Sequence, residues 1–490
     1  MATDDFFRSR LDQMIDLRRP LAVLSKRIAW HQIEAALAPR LAHKDRGGNL
    51  LEAMDLFGTS EQLLSAGVSP AGRPRLPIRL MASLLYLKHA FNLSDEELVE
   101  RWSENCVWQY FSGLEYYEPR LPCDATQLGR FRSAIGEAGV EELLKATIDT
   151  AVTTKAIKPA EFERVIVDTT VQEKAIAYPT DSRLLEIARY KVVKAAKHAG
   201  ISLKQTFARE GKELKRKAGG YAHAKQFKRL RRTTKRQKTI LGIVLREVTR
   251  KLTTVTTDSP LARHRLATVM ERAERIRTQQ RFTKNKLYAM HAPEAECISK
   301  GKARQPYEFG VKASIAVTHR SGLIVGARTF PGNPYDGHVL AEQLEQTGIL
   351  LEDVGCAPKQ VVVDLGYRGV DADNPGVEII HRGRIKSMTR LRRRWLKRRQ
   401  AVEPTIGHLK QDHRMNRCWL VGATGDALHT VLCAAGFNLR WLLRAIACGR
   451  IRPLFCALIE RSLYALNALK RSLRLLALPW APTSTAKGLT

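Results

Sequence analysis

Apolar residues recur at helical spacing over Ile78 to Phe91 and again over Glu96 to Phe111, which predicts two helices within a largely helical stretch, 1-150. Ser94 followed by Glu97 has the form of a capping box for the second helix. The aromatic residues there, Trp102, Trp108, Tyr110 and Phe111, are expected in the core rather than stacked on bases. Between Pro122 and Arg132 the pattern offers Thr126, Arg130 and Arg132 as phosphate contacts, and an ordinary helix start explains them equally well.

The period changes after Arg164. Val165, Ile166 and Val167 form a short β-branched run ending in Asp168, which predicts a buried strand with a carboxylate at its C-terminal edge. From about 182 to 300 the pattern is helical again. Tyr307 to Thr318 and Gly322 to Phe330, separated by His319 to Ser321, predict a hairpin. Pro331-Gly332-Asn333-Pro334 then breaks the chain; Asp336 and His338 are candidates for a place beside a metal site, but Gly332, Asn333 and Gly337 favour reading them as turn residues. His338 to Gln346 predicts a helix, Gln360 to Val363 a strand with Asp364 at its end, and Asp426 to Leu478 an apolar helical region. The tail after Pro479 reads as loose, and no internal repeat is visible.

Charge narrows the class of partner. The 490 residues carry 82 Lys and Arg against 49 Asp and Glu, a formal net charge of +33. So large an excess destabilises a compact chain by self-repulsion unless a polyanion offsets it, and nucleic acid is the first candidate. The basic residues cluster: Lys212 to Lys238 holds twelve Lys or Arg against the single Glu213, with Tyr221 and Phe227 interleaved, and Arg382 to Arg399 holds ten with no acid. Lys228, Arg231 and Arg232 in the first run are expected on phosphate, as is Arg130. A membrane is the rival polyanion. The apolar stretches near the C-terminus are broken by Arg440, Arg444, Arg450 and Arg452, and Met1 to Arg10 carries Asp4 and Asp5 with no apolar core, so neither a span nor a secretory signal is expected and the cytoplasm is implied. The eight cysteines include no C-x-x-C pair, which leaves them as small buried hydrophobes rather than a zinc knuckle or a disulfide framework.

Three acidic residues stand out against that basic setting. Val165-Ile166-Val167-Asp168 and Val361-Val362-Val363-Asp364 each end a strand in a carboxylate, and neighbouring parallel strands would bring the two together above a sheet. A pair of carboxylates suits Mg²⁺, which takes few of them and keeps its remaining positions for water or substrate phosphate. Glu403 follows the basic run in R-x-x-x-E-x-x-x-x-x-x-K, namely Arg399, Glu403 and Lys410, spacings that put all three on one helical face. Arg399 and Lys410 would then meet phosphate, while the competing reading is an intrahelical Arg399 to Glu403 ion pair. Pro404 argues for a kink or a helix start there. His408 and His413 have no metal-ligand spacing with a cysteine and read as surface or DNA-contact residues.

The order Asp168, then Asp364-x-Gly366-Tyr367, then Arg399, Glu403 and Lys410 resembles the bacterial insertion-sequence transposases with an RNase H-like DDE catalytic core, most of all the insertion sequence 5 group of the insertion sequence 4 superfamily. The likeness extends to Leu84 to Leu114, to Pro331 through His338, and to Ala401-Val402-Glu403-Pro404 with Gly407-His408-Leu409-Lys410, and covers most of residues 20 to 450. One departure is Leu396, beside Trp395, where the related pattern has a tyrosine three residues before the arginine.

The resemblance implies an α/β fold: a mixed sheet flanked by helices, interrupted by a basic helical insertion and preceded by an N-terminal helical domain. The corresponding expectations are a DNA-binding domain at 1-150, a catalytic core at 160-182 and 301-440, an insertion at 183-300 gripping the DNA end, and a helical tail at 441-490. Asp168, Asp364 and Glu403 would be the catalytic triad and the ligands of two Mg²⁺ or Mn²⁺ ions. The implied partners are double-stranded DNA, as transposon ends and target, and further copies of the chain in a homo-oligomeric synaptic complex, with the protein nucleoid-associated and no membrane involved. A metal-dependent nuclease without strand transfer and a non-catalytic DNA-binding derivative remain as alternatives, whereas nothing resembles an RNA-binding signature.

Overall fold

The computed structural model describes residues 9–41, 52–54, 60–62, 76–252, 259–299, 306–369 and 374–476. Most of Met1 to Arg10 and the tail after Pro479 lie outside the described residues. The N-terminal part contains α1 (Leu11–Met14), α2 (Pro20–Arg27) and α3 (Trp30–Leu37), then a two-stranded antiparallel ladder of β1 (Glu52–Met54) and β2 (Ser60–Gln62). It continues with α4 (Ile78–Ala90), α5 (Asp95–Ser103), α6 (Cys106–Phe111) and α7 (Ala125–Thr153).

The local chemistry explains where these helices begin. Ser94 accepts from the Glu97 amide while Glu97 reaches back to the Ser94 amide, the capping box expected at α5. Asn105 caps α6, and Asp124 caps α7 by accepting from Thr126. Trp102, Trp108 and Phe111 are buried as expected. Arg132 departs from its expectation: it is buried and faces Asp95 at 3.8 Å, so it is an internal cation rather than a phosphate contact. Arg130, two residues earlier on the opposite side of α7, is exposed.

β3 (Arg164–Glu173) is the centre of a six-stranded mixed sheet. After it come α8 (Asp181–His198), α9 (Ala208–His223), α10 (Phe227–Leu252) and α11 (Pro260–Thr278), whose apolar faces close a separate core around Leu185, Val192, Val244 and Leu266. The stretch to 300 is not helical throughout. It ends in β4 (Glu296–Ser299), which pairs with the start of β5 (Tyr307–Thr318) and extends the sheet. β5 turns back into β6 (Ile324–Phe330), the predicted hairpin. α12 (Leu340–Leu350), β7 (Gln360–Val362) and β8 (Glu378–Ile380) follow.

β5 lies antiparallel to β3 on one side, while β7 lies parallel to β3 on the other and β8 parallel to β7. The order across the sheet is β4-β5-β3-β7-β8, with β6 also on β5. β3 does not stop at Asp168 as expected. Thr169, Thr170 and Val171 carry β-branched side chains that suit a ladder, and pairing with β5 continues to Glu173 opposite Gly310.

The chain closes with α13 (Arg390–Arg398), α14 (Val402–Asp412) and the long α15 (Gly422–Leu476). A 3-10 turn at Arg399–Ala401 separates α13 from α14, so the basic motif does not lie along one continuous helical face. Pro404 sits in the first turn of α14, where its missing N–H costs nothing. α15 runs unbroken past residue 441 and packs on α7, α4 and β6. Its Gly422–Gly449 portion is long and apolar enough to cross a membrane, contrary to the reading of the sequence, and 56% of its most apolar window is buried inside the protein. One hydrophobic core runs from the N-terminal helices through the sheet to α15, joining Leu84, Leu143, Val167, Val361 and Leu432.

Candidate active site

The position of Asp168 and Asp364 follows from strand register. Arg164, Val165 and Ile166 pair in parallel with Gln360, Val361 and Val362, a constant separation of 196 residues that also relates Asp168 to Asp364. Adjacent strands stand about 4.8 Å apart and side chains two residues apart share a face, so the two carboxylates start side by side above Ile166 and Val362. The ladder between the two strands stops before them. β3 continues along β5, while the other chain turns at Asp364 into a short 3-10 segment, Leu365–Tyr367. Asp364 Oδ1 accepts from the Gly366 amide at 2.8 Å and thereby fixes that turn.

The glycine of Asp364-x-Gly366-Tyr367 has a steric reason. A Cβ at Gly366 would stand 3.0 Å from Asp364 Oδ1 and 3.0 Å from Asp336 Oδ2, so any larger residue would push one or both carboxylates aside at this point. Asp336 is therefore part of the site. The turn favoured for Pro331 through His338 describes the backbone, and the less favoured alternative describes what it delivers: a 3-10 segment, Asp336–Val339, that carries a carboxylate back to the sheet. Asp336 Oδ1 accepts from Thr169 Oγ1 at 3.0 Å and from Lys312 Nζ at 2.8 Å, and Lys312 also donates to the Pro334 carbonyl at 2.5 Å. The signals available in sequence were a lone Asp after a turn and a Lys at an inward position of β5, neither of which stands out.

Tyr367 lies beneath these acids and is 1% exposed. Burial raises its hydroxyl well above the usual phenol range, and Asp168, Asp336 and Asp364 raise it further. The phenol is thus a permanently neutral group against three carboxylates. Its oxygen stands beside Ser314 without a hydrogen bond of ordinary geometry.

Glu403 reaches the site through Arg399. The Arg399 guanidinium contacts Asp168 Oδ2 at 3.4 Å and Glu403 Oε1 at 3.7 Å. Asp168 also accepts from the Thr169 amide at 2.9 Å. Asp168 is mostly buried, its side chain 17% exposed, whereas that of Glu403 is 63% exposed on the first turn of α14. Strand register thus sets Asp168 beside Asp364, and Arg399 links Asp168 to Glu403, although among the described residues no three carboxylates bring oxygens within 4.8 Å of one another.

Two expected phosphate contacts are otherwise engaged here. Arg399 is held by the acids themselves, and Lys410 faces Glu308 on β5 at 3.7 Å. His413 is buried rather than superficial, with Nδ1 2.9 Å from the His89 carbonyl, whereas His408 is exposed and pairs with Asp412. Trp395 is covered by the Arg164 guanidinium at 3.4 Å and packs with Leu396 against the core, which removes it from the acidic site. Lys228, Arg231 and Arg232 are exposed on α10.

Hard oxygen donors from β3, the Asp364 turn and the Asp336 segment, with Glu403 at the rim, fit Mg²⁺ or Mn²⁺ better than a softer ion. Comparison with known proteins agrees on class. A model described as a transposase domain (DUF772) matches residues 48–134, and one described as a transposase DDE domain matches residues 376–443, which include Arg399, Glu403 and Lys410. The chain is 42% identical over 224 residues to "Uncharacterized protein ORF8 in nfe locus" of Rhizobium meliloti, across 46% of this chain and 95% of that protein. No solved structure matches.

Proposed function

This chain belongs to one family with the Rhizobium meliloti ORF8 protein and carries transposase domains, and from that premise we propose that it is a metal-dependent DDE transposase acting on double-stranded DNA. Its reaction would be hydrolysis of a strand at the end of an insertion sequence, leaving a free 3′-OH, followed by attack of that hydroxyl on a target phosphodiester. Asp168, Asp364 and Glu403 are the catalytic acids of this reading. The observation that carries it is the contact of Arg399 with both Asp168, which strand register sets beside Asp364, and Glu403 of α14.

A pair of divalent ions bound by Asp168, Asp364 and Glu403 would lower the barrier by neutralising charge on the attacking and leaving oxygens. The side chains around them have separate tasks. Lys312 and Thr169 fix Asp336 beside Asp364, so that Asp336 sets the charge and orientation of the site. Arg399 holds Asp168 and Glu403 against mutual repulsion and is placed to transfer its contact to a DNA phosphate. Tyr367 closes the floor of the site to water with a group that stays protonated.

In this reading the mixed sheet, 160-182 and 301-440, is an RNase H-like core of the insertion sequence 5 kind. Its support is the sheet itself, in which the strand bearing Asp168 is antiparallel to one neighbour and parallel to the other. The helical unit at 183-300 grips the transposon end with Lys228, Arg231 and Arg232. The N-terminal helices read further DNA through the Arg130 face, and copies of the chain pair the two ends in the cytoplasm.

The test uses the purified chain, Mg²⁺, and a duplex carrying the inverted repeats that flank its gene. Strand cleavage at the repeat boundary, and joining of precleaved ends to a plasmid, are the expected results. Cleavage without joining would make it a nuclease, and binding without either would remove the catalytic reading.

A further inference from the structure

A second cluster of ligating side chains lies apart from the acids and draws on softer donors. His89 lies in the last turn of α4, and His429 and Cys433 stand one turn apart on α15, so their i, i+4 spacing points both at the facing helix. All three are buried, at 1%, 6% and 0% exposure. The helices meet closely here because Gly436 has no side chain: a Cβ there would stand 2.5 Å from His89 Cβ. One nitrogen or sulfur from each residue lies within 4.8 Å of the others.

We propose that His89, His429 and Cys433 form a metal site for a borderline-soft ion, zinc by its donor set, that pins α4 to α15. Two observations favour it over an ordinary buried polar cluster. His429 Nε2 lies 2.9 Å from the Arg414 carbonyl, and donation there leaves Nδ1 as the lone-pair atom, the outer-sphere arrangement usual for a ligating histidine. Cys433 Sγ stands 3.6 Å from His89 Nδ1. That matches the edge of a zinc tetrahedron, about 3.6 Å for Zn–S near 2.3 Å and Zn–N near 2.05 Å.

Burial keeps both imidazoles neutral, the form that ligates: His429 is pushed down to about 3 and His89 well below the usual range, each further opposed by Lys88, Arg132 and Arg414. The Cys433 thiol is raised by burial, so binding must displace its proton to solvent as the sulfur–metal bond forms. Those three cations face the site and oppose a dication. Asp95 offsets Lys88 at 2.6 Å and Arg132 at 3.8 Å, and the thiolate formed on binding offsets one charge more. Three ligands leave a tetrahedral position for water.

The test is metal analysis of the full chain purified in excess Mg²⁺, which occupies the oxygen site, together with Co²⁺ substitution followed by absorption. Expected is stoichiometric zinc, and with Co²⁺ a thiolate-to-metal charge-transfer band that Cys433→Ser and His429→Gln lose. Cys448→Ser and Asp168→Asn, altered elsewhere, should keep the band. A wild-type chain, folded by circular dichroism, that takes up no zinc and shows no such band overturns the proposal, and so does a band unaffected by Cys433→Ser. Should the ligand variants fail to fold, the wild-type spectrum compared with that of Cys106→Ser and Cys448→Ser decides: a band that disappears in either of those belongs to a surface thiol.

Discussion

Replacing Arg399 by glutamine removes the guanidinium that contacts both Asp168, at 3.4 Å, and Glu403, at 3.7 Å. At 3.4 Å and an effective dielectric of about 20, the gross attraction to Asp168 is about 5 kcal/mol. Most of it is offset by the desolvation of two groups about four-fifths buried, and the Glu403 contact adds little because that side chain is 63% exposed. A net of about 1–2 kcal/mol is left, which a divalent ion entering between the acids must overcome. The variant should therefore bind Mn²⁺ about tenfold more tightly in the absence of DNA, by isothermal titration. Strand cleavage by the same variant should fall, since the phosphate loses its cation. Unchanged or weaker Mn²⁺ binding would show that Arg399 and the metals do not share the acids, and the assignment of its role would fail.

Other expectations follow from individual contacts. Lys312→Met strips Asp336 of its cation; with these side chains 12% and 28% exposed, the loss should be about 2 kcal/mol, below the range for a fully buried pair, and read as a lower urea midpoint. Asp149 is raised to about 6 by burial first and then by Asp353, with Lys145 opposing. A raised carboxyl contributes stability that is present below its unfolded value near 3.8 and lost as pH climbs through about 6, so Asp149→Asn should raise the unfolding temperature at about pH 8 and leave it unchanged near pH 4. Changing Lys228, Arg231 and Arg232 together to alanine should lower the slope of log affinity against log salt by about two to three for a DNA end, and an unchanged slope would place the DNA elsewhere.

The two aspartates were legible because strand periodicity and strand ends are local: four residues each, Val165 to Asp168 and Val361 to Asp364, announce a buried strand and its carboxylate. The hairpin at Tyr307 to Phe330 was legible for the same reason. Asp336 was legible only as the less favoured alternative to a turn residue, because its placement depends on Lys312 and Thr169 arriving from two different strands. Arg132 and His413 were misplaced because basic and polar residues default to the surface, and only the packing of α4, α5 and α15 shows them inside. The extension of β3 past Asp168 is set by its partner β5: Thr169, Thr170 and Val171 suit a strand, but only the pairing that runs to Gly310 shows how far the ladder goes. His89, some 340 residues before Cys433, has no spacing that points to it; only the His429-x-x-x-Cys433 half of the cluster could have been read from the chain.

The most direct measurement compares strand cleavage by wild type and Asp364→Asn on the same end duplex in Mg²⁺, with duplex binding followed in parallel. The substitution keeps the size of the side chain and its acceptor for the Gly366 amide, so the turn should stand and the affinity for DNA should stay within about twofold. Cleavage should disappear. A variant that still cuts at the wild-type rate would contradict the account at its centre, because two carboxylates on adjacent parallel strands would then have no part in the chemistry.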